Sequence, residues 1–171
     1  MLPRVRQNAS AYPYAVGANP LKNLLPPWVQ IGGNEAMLAR LRQPDTRARI
    51  KNELAERGLN NLGRISSWEA VQISISPRRP ETAGQTVAAL ARAQGCEPID
   101  QICDHLIADN GATRVLITSI SEDDLRTIVR SPTALVGSDG NCVATYGSVS
   151  QGVPHPRFYG TFPRIIGALC R

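Results

Sequence analysis

The chain has 171 residues, 42% of them hydrophobic and 19% charged, which suits one soluble domain, and its 14 Gly, 13 Pro and 5% aromatic content imply many turns and short elements. The formal net charge of +5 does not mark a nucleic-acid surface: the densest basic group, Arg40, Arg42, Arg47, Arg49 and Lys51, is interleaved with Glu35, Asp45, Glu53 and Glu56, and no aromatic residue stands among the arginines to stack on bases. Four cysteines without a CxxC pair argue for free thiols rather than zinc, and the absence of an apolar run of leader or membrane-spanning length gives the expectation of a reduced, cytoplasmic setting with no membrane partner.

Along the chain, Met1 to Ser10 reads as an irregular start and Ala11 to Val16 as a short strand. A loop follows to Pro27, with a turn or short helix at Pro26-Pro27-Trp28. Gly32-Gly33 precedes two helices divided by Pro44, from about Glu35 to Arg42 and from Asp45 to Arg57 with Gly58 as the stop. The alternation in Ala70 to Ser76 predicts a half-buried strand, and Gln85 to Gln94 a helix closed by Gly95. Glu97-Pro98 opens another helix, with Ile99, Ile102, Cys103, Leu106 and Ile107 on one face until Asn110-Gly111.

Arg114 to Thr118 reads as an apolar strand. Ser121-Glu122-Asp123-Asp124 has the form of a helix cap, Leu125, Ile128 and Val129 give that helix a buried stripe, and Ala134-Leu135-Val136 is a second strand. Val115 to Val136 therefore reads as a strand-helix-strand unit of the parallel kind. Asn141 to Tyr159 reads as loop, followed by a last helix capped by Thr161 with Ile165, Ile166 and Leu169 as its apolar side.

The residues that could carry chemistry are few. Asp139, in Gly137-Ser138-Asp139-Gly140, directly follows a buried strand, where loops of parallel α/β folds gather functional groups; a carboxylate there could bind a metal or move a proton, or Asp-Gly could simply make a turn. His155 is held extended between Pro154 and Pro156 and precedes Arg157, so the pair could meet an anion or anchor the loop. Tyr12 and Tyr14 alternate across Pro13, so one phenol could enter a site while the other packs. Cys103, Asp104 and His105 are close in sequence but point in different helical directions, a poor metal site. No G-x-S-x-G, P-loop, H-E-x-x-H or G-x-G-x-x-G pattern occurs.

Tyr12-Pro13-Tyr14, Leu24-Leu25-Pro26-Pro27-Trp28, Ser121-Glu122-Asp123-Asp124, Gly137-Ser138-Asp139-Gly140 and the run from His155 to Arg164 (HPRFYGTFPR) are, in this order, similar to the later half of the N-acyl-D-amino-acid deacylases, or D-aminoacylases. The resemblance implies the α/β fold of the amidohydrolase superfamily, here a partial (β/α)8 barrel: one domain over 1–171 holding the last two strands, a mostly helical insertion within 17–116, and the last strand, active-site loop and following helix in 134–171. It implies hydrolysis of the amide of N-acyl-D-amino acids, with zinc activating water and polarising the acyl carbonyl and the aspartate accepting the water's proton. Asp139 matches that aspartate and Tyr12 a substrate-contacting tyrosine; Arg157, with His155 beside it, is a candidate for the substrate carboxylate.

The family's metal ligands have no counterpart here, since the two histidines, His105 and His155, match none of their positions. Ser10 also stands where the family commonly has Asp, and Gly17-Ala18-Asn19 replaces a loop with a hydroxyl residue. The expectation is a fragment that holds no zinc and is inactive by itself, its substrate an N-acyl-D-amino acid once the rest of a barrel is supplied. The alternative is a non-catalytic remnant that self-associates as an α/β domain.

Overall fold

A computed structural model describes residues 9–57, 65, 67–150 and 152–169. Of the irregular start expected over Met1 to Ser10, residues 1–8 lie outside them, as do the helix stop at Gly58 and the terminal Arg171, while Ala9 and Ser10 are strand. In chain order the elements are β1 (Ala9–Ala11), β2 (Val16–Pro20), α1 (Gly33–Leu41), α2 (Pro44–Arg57), β3 (Val71–Ile75), α3 (Val87–Gln94), α4 (Pro98–Ala108), β4 (Arg114–Thr118), α5 (Glu122–Val129), β5 (Ala134–Val136) and α6 (Arg157–Arg164). Short 3-10 turns occur at Leu21–Leu24, Pro27–Gln30 and Gly147–Val149 among others, and α6 runs on as a π-helical turn over Ile165–Leu169. The chain is thus α/β and forms two compact units: Met1–Val16 with Ile120–Ser150 and Pro154–Arg171, and Gly17–Ser119 with Gln151–Val153.

The second unit contains the hydrophobic core. Its sheet has the order β2-β4-β3, with β3 and β4 antiparallel in the register Val71↔Ile117 and Ile73↔Val115. Val71, Ile73, Val115 and Ile117 point inward and meet Leu21, Leu25, Met37, Leu41, Ile50, Ile102 and Leu106. Helix α4 supplies Ile99, Ile102, Cys103 and Leu106 at three- and four-residue spacing, starting from Pro98 at its first turn. It ends where Asn110 and Gly111 adopt positive φ of 52° and 74°, and the Asn34 amide of α1 donates to the Asn110 carbonyl at 3.1 Å. Helix α3 begins on Thr86, whose hydroxyl accepts the Ala89 N–H at 3.1 Å, and is closed by left-handed Gly95. The basic residues of α2 tie it to α4: Lys51 pairs with Asp100 at 2.7 Å and Glu97 at 2.9 Å, and Arg47 pairs with Asp104. Two members of the densest basic cluster of the sequence, Arg47 and Lys51, are therefore spent on helix packing, and a third, Arg49, stacks over Trp28 at 4.0 Å.

In the first unit β1 and β5 form a parallel pair, Ala9↔Ala134, Ser10↔Leu135 and Ala11↔Val136. Helix α5 is capped as the sequence predicts, the Ser121 hydroxyl accepting the Asp124 N–H at 3.0 Å. Of its expected stripe, Leu125 is buried and Ile128 is exposed.

Three expectations are corrected. The strand read over Ala11 to Val16 is not one: β1 ends at Ala11 and β2 begins at Val16, and between them the chain turns where the Tyr14 N–H donates to the Tyr12 carbonyl at 3.0 Å around Pro13, which has no N–H to give a sheet. The unit read from Val115 to Val136 is not one parallel sheet, because β4 lies between β2 and β3 whereas β5 pairs with β1. Thr161 is not a cap: the helix starts at Arg157, the backbone before it being stiffened by Pro154 and Pro156, and the Thr161 hydroxyl donates back to the Arg157 carbonyl at 2.9 Å.

Candidate functional site

The parallel register puts the carboxyl ends of β1 and β5 side by side, so the chain leaves both strands at one edge. From β1 it enters Tyr12-Pro13-Tyr14, and from β5 Gly137-Ser138-Asp139-Gly140, the Gly137 N–H donating to the Ala11 carbonyl at 3.0 Å to extend the pairing. The approach is close enough that a β-carbon on Gly137 would collide with the Ser10 hydroxyl. Asp139 then takes a positive φ of 45°, a region that Asp tolerates better than most residues but that still stores strain. Its side chain is 70% exposed while its backbone is held.

Arg157 is what holds it. The guanidinium is 8% exposed, and its Nε donates to the Asp139 carbonyl oxygen at 2.9 Å while Nη2 pairs with the Asp139 Oδ2 at 2.9 Å. One face of the guanidinium stacks over Tyr12, 4.6 Å from the ring centroid, and Phe158 lies 5.3 Å away. Tyr12, Asp139 and Arg157, three residues from separate stretches of sequence, thus form one contact set at the strand ends.

His155 is fully buried beneath them. Its Nδ1 accepts the Arg157 backbone N–H at 2.9 Å, and its Nε2 lies 2.6 Å from the Val16 carbonyl. Tyr12 and Tyr14 approach the ring edge-on, each with centroids 5.6 Å away. Burial holds the imidazole pKa below the usual histidine range and the Arg157 charge adds to this, against the opposing hydrogen bond to Val16 and the Asp139 charge. Tyr12 and Tyr14 do not alternate as on a strand; the turn at Pro13 brings both onto the same imidazole.

The structure therefore brings all four sequence candidates, Tyr12, Asp139, His155 and Arg157, together. Sequence reasoning gives Thr161 only a capping role and Arg164 none, although the signal is present: 157, 161 and 164 recur at helical spacing and make the polar stripe of α6. Thr161 is buried, and Arg164 stacks on Tyr14 at 5.0 Å and reaches Glu122 at 3.0 and 3.2 Å, joining α6 to the first turn of α5.

The site does not fit a metal. Both ring nitrogens of His155 are engaged, the Asp139 carboxylate faces a cation, and among the described residues no group of three or more His, Cys, Asp and Glu could hold an ion. Cys103 is buried, its thiol pushed up to about 11 mainly by desolvation, and His105 turns instead to Ser76, Nε2 to Oγ 3.1 Å.

No protein-family model matches the chain. It is 28% identical over 108 residues, 63% of its length, to an N-acyl-D-glutamate deacylase of Alcaligenes xylosoxydans xylosoxydans, of which the aligned part is 20%. It superimposes with a TM-score of 0.55 on the N-acyl-D-glutamate deacylase of Bordetella bronchiseptica, solved with zinc and a phosphonate mimic of the tetrahedral intermediate, at 22% identity over 92% of this chain. A D-aminoacylase described as defining a subset of amidohydrolases gives 0.55 at 20% identity over 96% of this chain. The chain resembles the N-acyl-D-amino-acid deacylases of the amidohydrolase superfamily. It spans about a quarter of those solved deacylase chains, 23 and 24%, and a fifth of the Alcaligenes relative. Among the deacylases, zinc accompanies the Bordetella enzyme and a binuclear metal centre a D-aminoacylase.

Proposed function

We propose that the chain supplies the aspartate end of an N-acyl-D-amino-acid deacylase site, and that amide hydrolysis needs metal-binding strands it does not itself provide. The observation that carries this reading is the meeting of Asp139, Arg157 and Tyr12 at the carboxyl ends of two adjacent parallel strands, where α/β barrels keep their reacting groups. In this reading β1 and β5 are two neighbouring strands of the barrel wall, and the unit from Gly17 to Ser119 is the helical insertion between them.

Asp139 takes the proton of the attacking water and returns it to the leaving amine, for which an exposed carboxylate on a held backbone is suited. Arg157 offers a fork of donors to the substrate carboxylate, exchanging part of its pairing with Asp139 for a second anion. The Tyr12 ring backs the guanidinium. The described residues of the chain do not themselves fit zinc. The free thiols of Cys96, Cys103 and Cys142 suit a reduced cytoplasmic setting, and no helix among the described residues is long and apolar enough to cross a membrane.

The test is to produce the chain together with the metal-binding part of an N-acyl-D-glutamate deacylase and to measure acetate release from N-acetyl-D-glutamate with zinc. Release that disappears in Asp139→Asn supports the proposal; release that survives it assigns the proton transfer elsewhere. A second reading, a non-catalytic domain that associates with itself, is favoured by α6 and the turn that continues it, where the polar stripe is turned in while Phe162 and Ile166 stand 57 and 73% exposed.

A further inference from the structure

His155 separates from the other three site residues on one physical ground: its hydrogen-bonding capacity is used up. An imidazole in its neutral form has one donor and one acceptor nitrogen. Nδ1 faces the backbone N–H of Arg157 at 2.9 Å, which can only donate, so Nδ1 is the bare nitrogen. The proton then resides on Nε2, which donates to the Val16 carbonyl at 2.6 Å. No lone pair or proton is left for a ligand, and the ring is completely buried.

We infer that His155 is a positioning residue, whose fixed tautomer sets the backbone of Arg157 and through it the guanidinium that meets Asp139 and Tyr12. The Arg157 N–H belongs to the first turn of α6 and has no partner within the helix, a position in which a side-chain acceptor fixes where a helix begins. Val16 lies just beyond the Tyr12-Pro13-Tyr14 turn, so one imidazole ties the segment after β1 to the start of α6. From there the Arg157 side chain reaches the segment after β5 through the Asp139 carbonyl and carboxylate. Pro154 and Pro156 restrict the backbone on both sides, and the edges of Tyr12 and Tyr14 leave the ring little freedom to turn. A residue that merely filled this space would need no nitrogen; burying two of them is offset here because each finds a partner.

The value of Arg157 to a substrate carboxylate rests on the deacylase reading, but its positioning by His155 does not. The test uses the full chain labelled with nitrogen-15, read at the His155 ring nitrogens and the Arg157 Nε–Hε group by nuclear magnetic resonance at neutral pH. The expected spectrum has the proton on Nε2 of His155 and a bare Nδ1. In His155→Asn, whose Oδ1 can take the place of Nδ1, the Arg157 Hε stays protected; in His155→Phe it exchanges about tenfold faster, as for a lost hydrogen bond. A proton on Nδ1 in the wild type overturns the inference without recourse to any variant, and so does an Arg157 Hε equally protected in His155→Phe. Failure of the deacylase reading shows as missing turnover in the completed barrel, and failure of this one shows in these spectra.

Discussion

Asp139 illustrates how little of a site need be chemically exotic. Its backbone is strained and pinned by Arg157, whereas its carboxylate is open to solvent, so replacing Asp by Asn keeps the carbonyl that accepts from Arg157 Nε and removes an ion pair one of whose partners is well hydrated. Asp139→Asn keeps an amide oxygen for Arg157 Nη2 but no longer balances the buried guanidinium, so a loss of about 1 kcal/mol is expected in urea unfolding. Arg157→Ala removes the hydrogen bond to the Asp139 carbonyl and the packing over Tyr12 from a buried position, and a loss of about 1–3 kcal/mol is expected in the same measurement.

The histidines give a pH dependence of definite sign. His155 and His105 are both held below the usual value of 6.5, each chiefly by burial, so the unfolded chain binds more protons than the folded one as the medium becomes acidic. Their contribution is complete above the unfolded pKa and is lost as pH falls through the folded value. The urea midpoint should drop between pH 7.5 and 5.5, and by less in a variant lacking both imidazoles; a midpoint that rises on acidification contradicts this. Asp139, Tyr12 and Arg157 can be singled out from the sequence because each stands in one of the short runs that carry the family resemblance. The burial of His155 could not, because its Nε2 partner, the Val16 carbonyl, is 139 residues away and invisible to local reading.

At the scale of elements, local chemistry decided most boundaries and long-range pairing decided the rest. Ser121, Gly95 and Pro98 each mark a helix end by a mechanism acting within a few residues and are legible in the sequence, whereas the Thr86 cap places the start of α3 two residues after the Gln85 expected. Strands β4 and β5 have equally plain apolar sequences, but β5, expected to be buried, exposes Leu135 and Val136, and which sheet each joins depends on partners far off in sequence, so the apparent strand-helix-strand unit dissolves. The start of α6 was misplaced because Thr161 looks like a cap, while the cue that operates is the proline-bracketed His155.

Ser121→Ala should lower stability by about 1 kcal/mol, measured by urea unfolding. Gly152 is a sharper case: at φ +58° its neighbour Val153 exchanges hydrogen bonds with Ser74, N–H to carbonyl at 2.8 Å and carbonyl from hydroxyl at 2.7 Å, and a β-carbon would run into the Ser74 carbonyl. Gly152→Ala should therefore detach this segment from β3, seen as loss of amide-exchange protection at Val153 with the β3–β4 pairing intact.

Across the whole molecule the two units differ in what they bury. Among the described residues, the buried aliphatic, aromatic and sulfur-bearing side chains lie in the second unit, apart from Leu125. The first unit instead exposes Leu135, Val136, Ile128, Phe162 and Ile166, and its sheet has two strands. A two-stranded sheet with an apolar surface has little stability of its own, and each such side chain fully buried against a partner would contribute roughly 1.5–3 kcal/mol. Self-association of the isolated chain, visible by light scattering and weakened by Phe162→Glu or Ile166→Glu, is the expected consequence; a monomer at high concentration contradicts it.

The same imbalance is what the deacylase reading requires, since barrel strands taken with their helices would leave these surfaces to be covered by neighbouring strands and helices. The most direct measurement is acetate release from N-acetyl-D-glutamate, with zinc, by the purified chain alone and by the chain completed with the metal-binding part of a deacylase. The account predicts none from the chain alone and release from the completed barrel that Asp139→Asn abolishes. Zinc-dependent release by the chain alone, lost in Asp139→Asn, would contradict it.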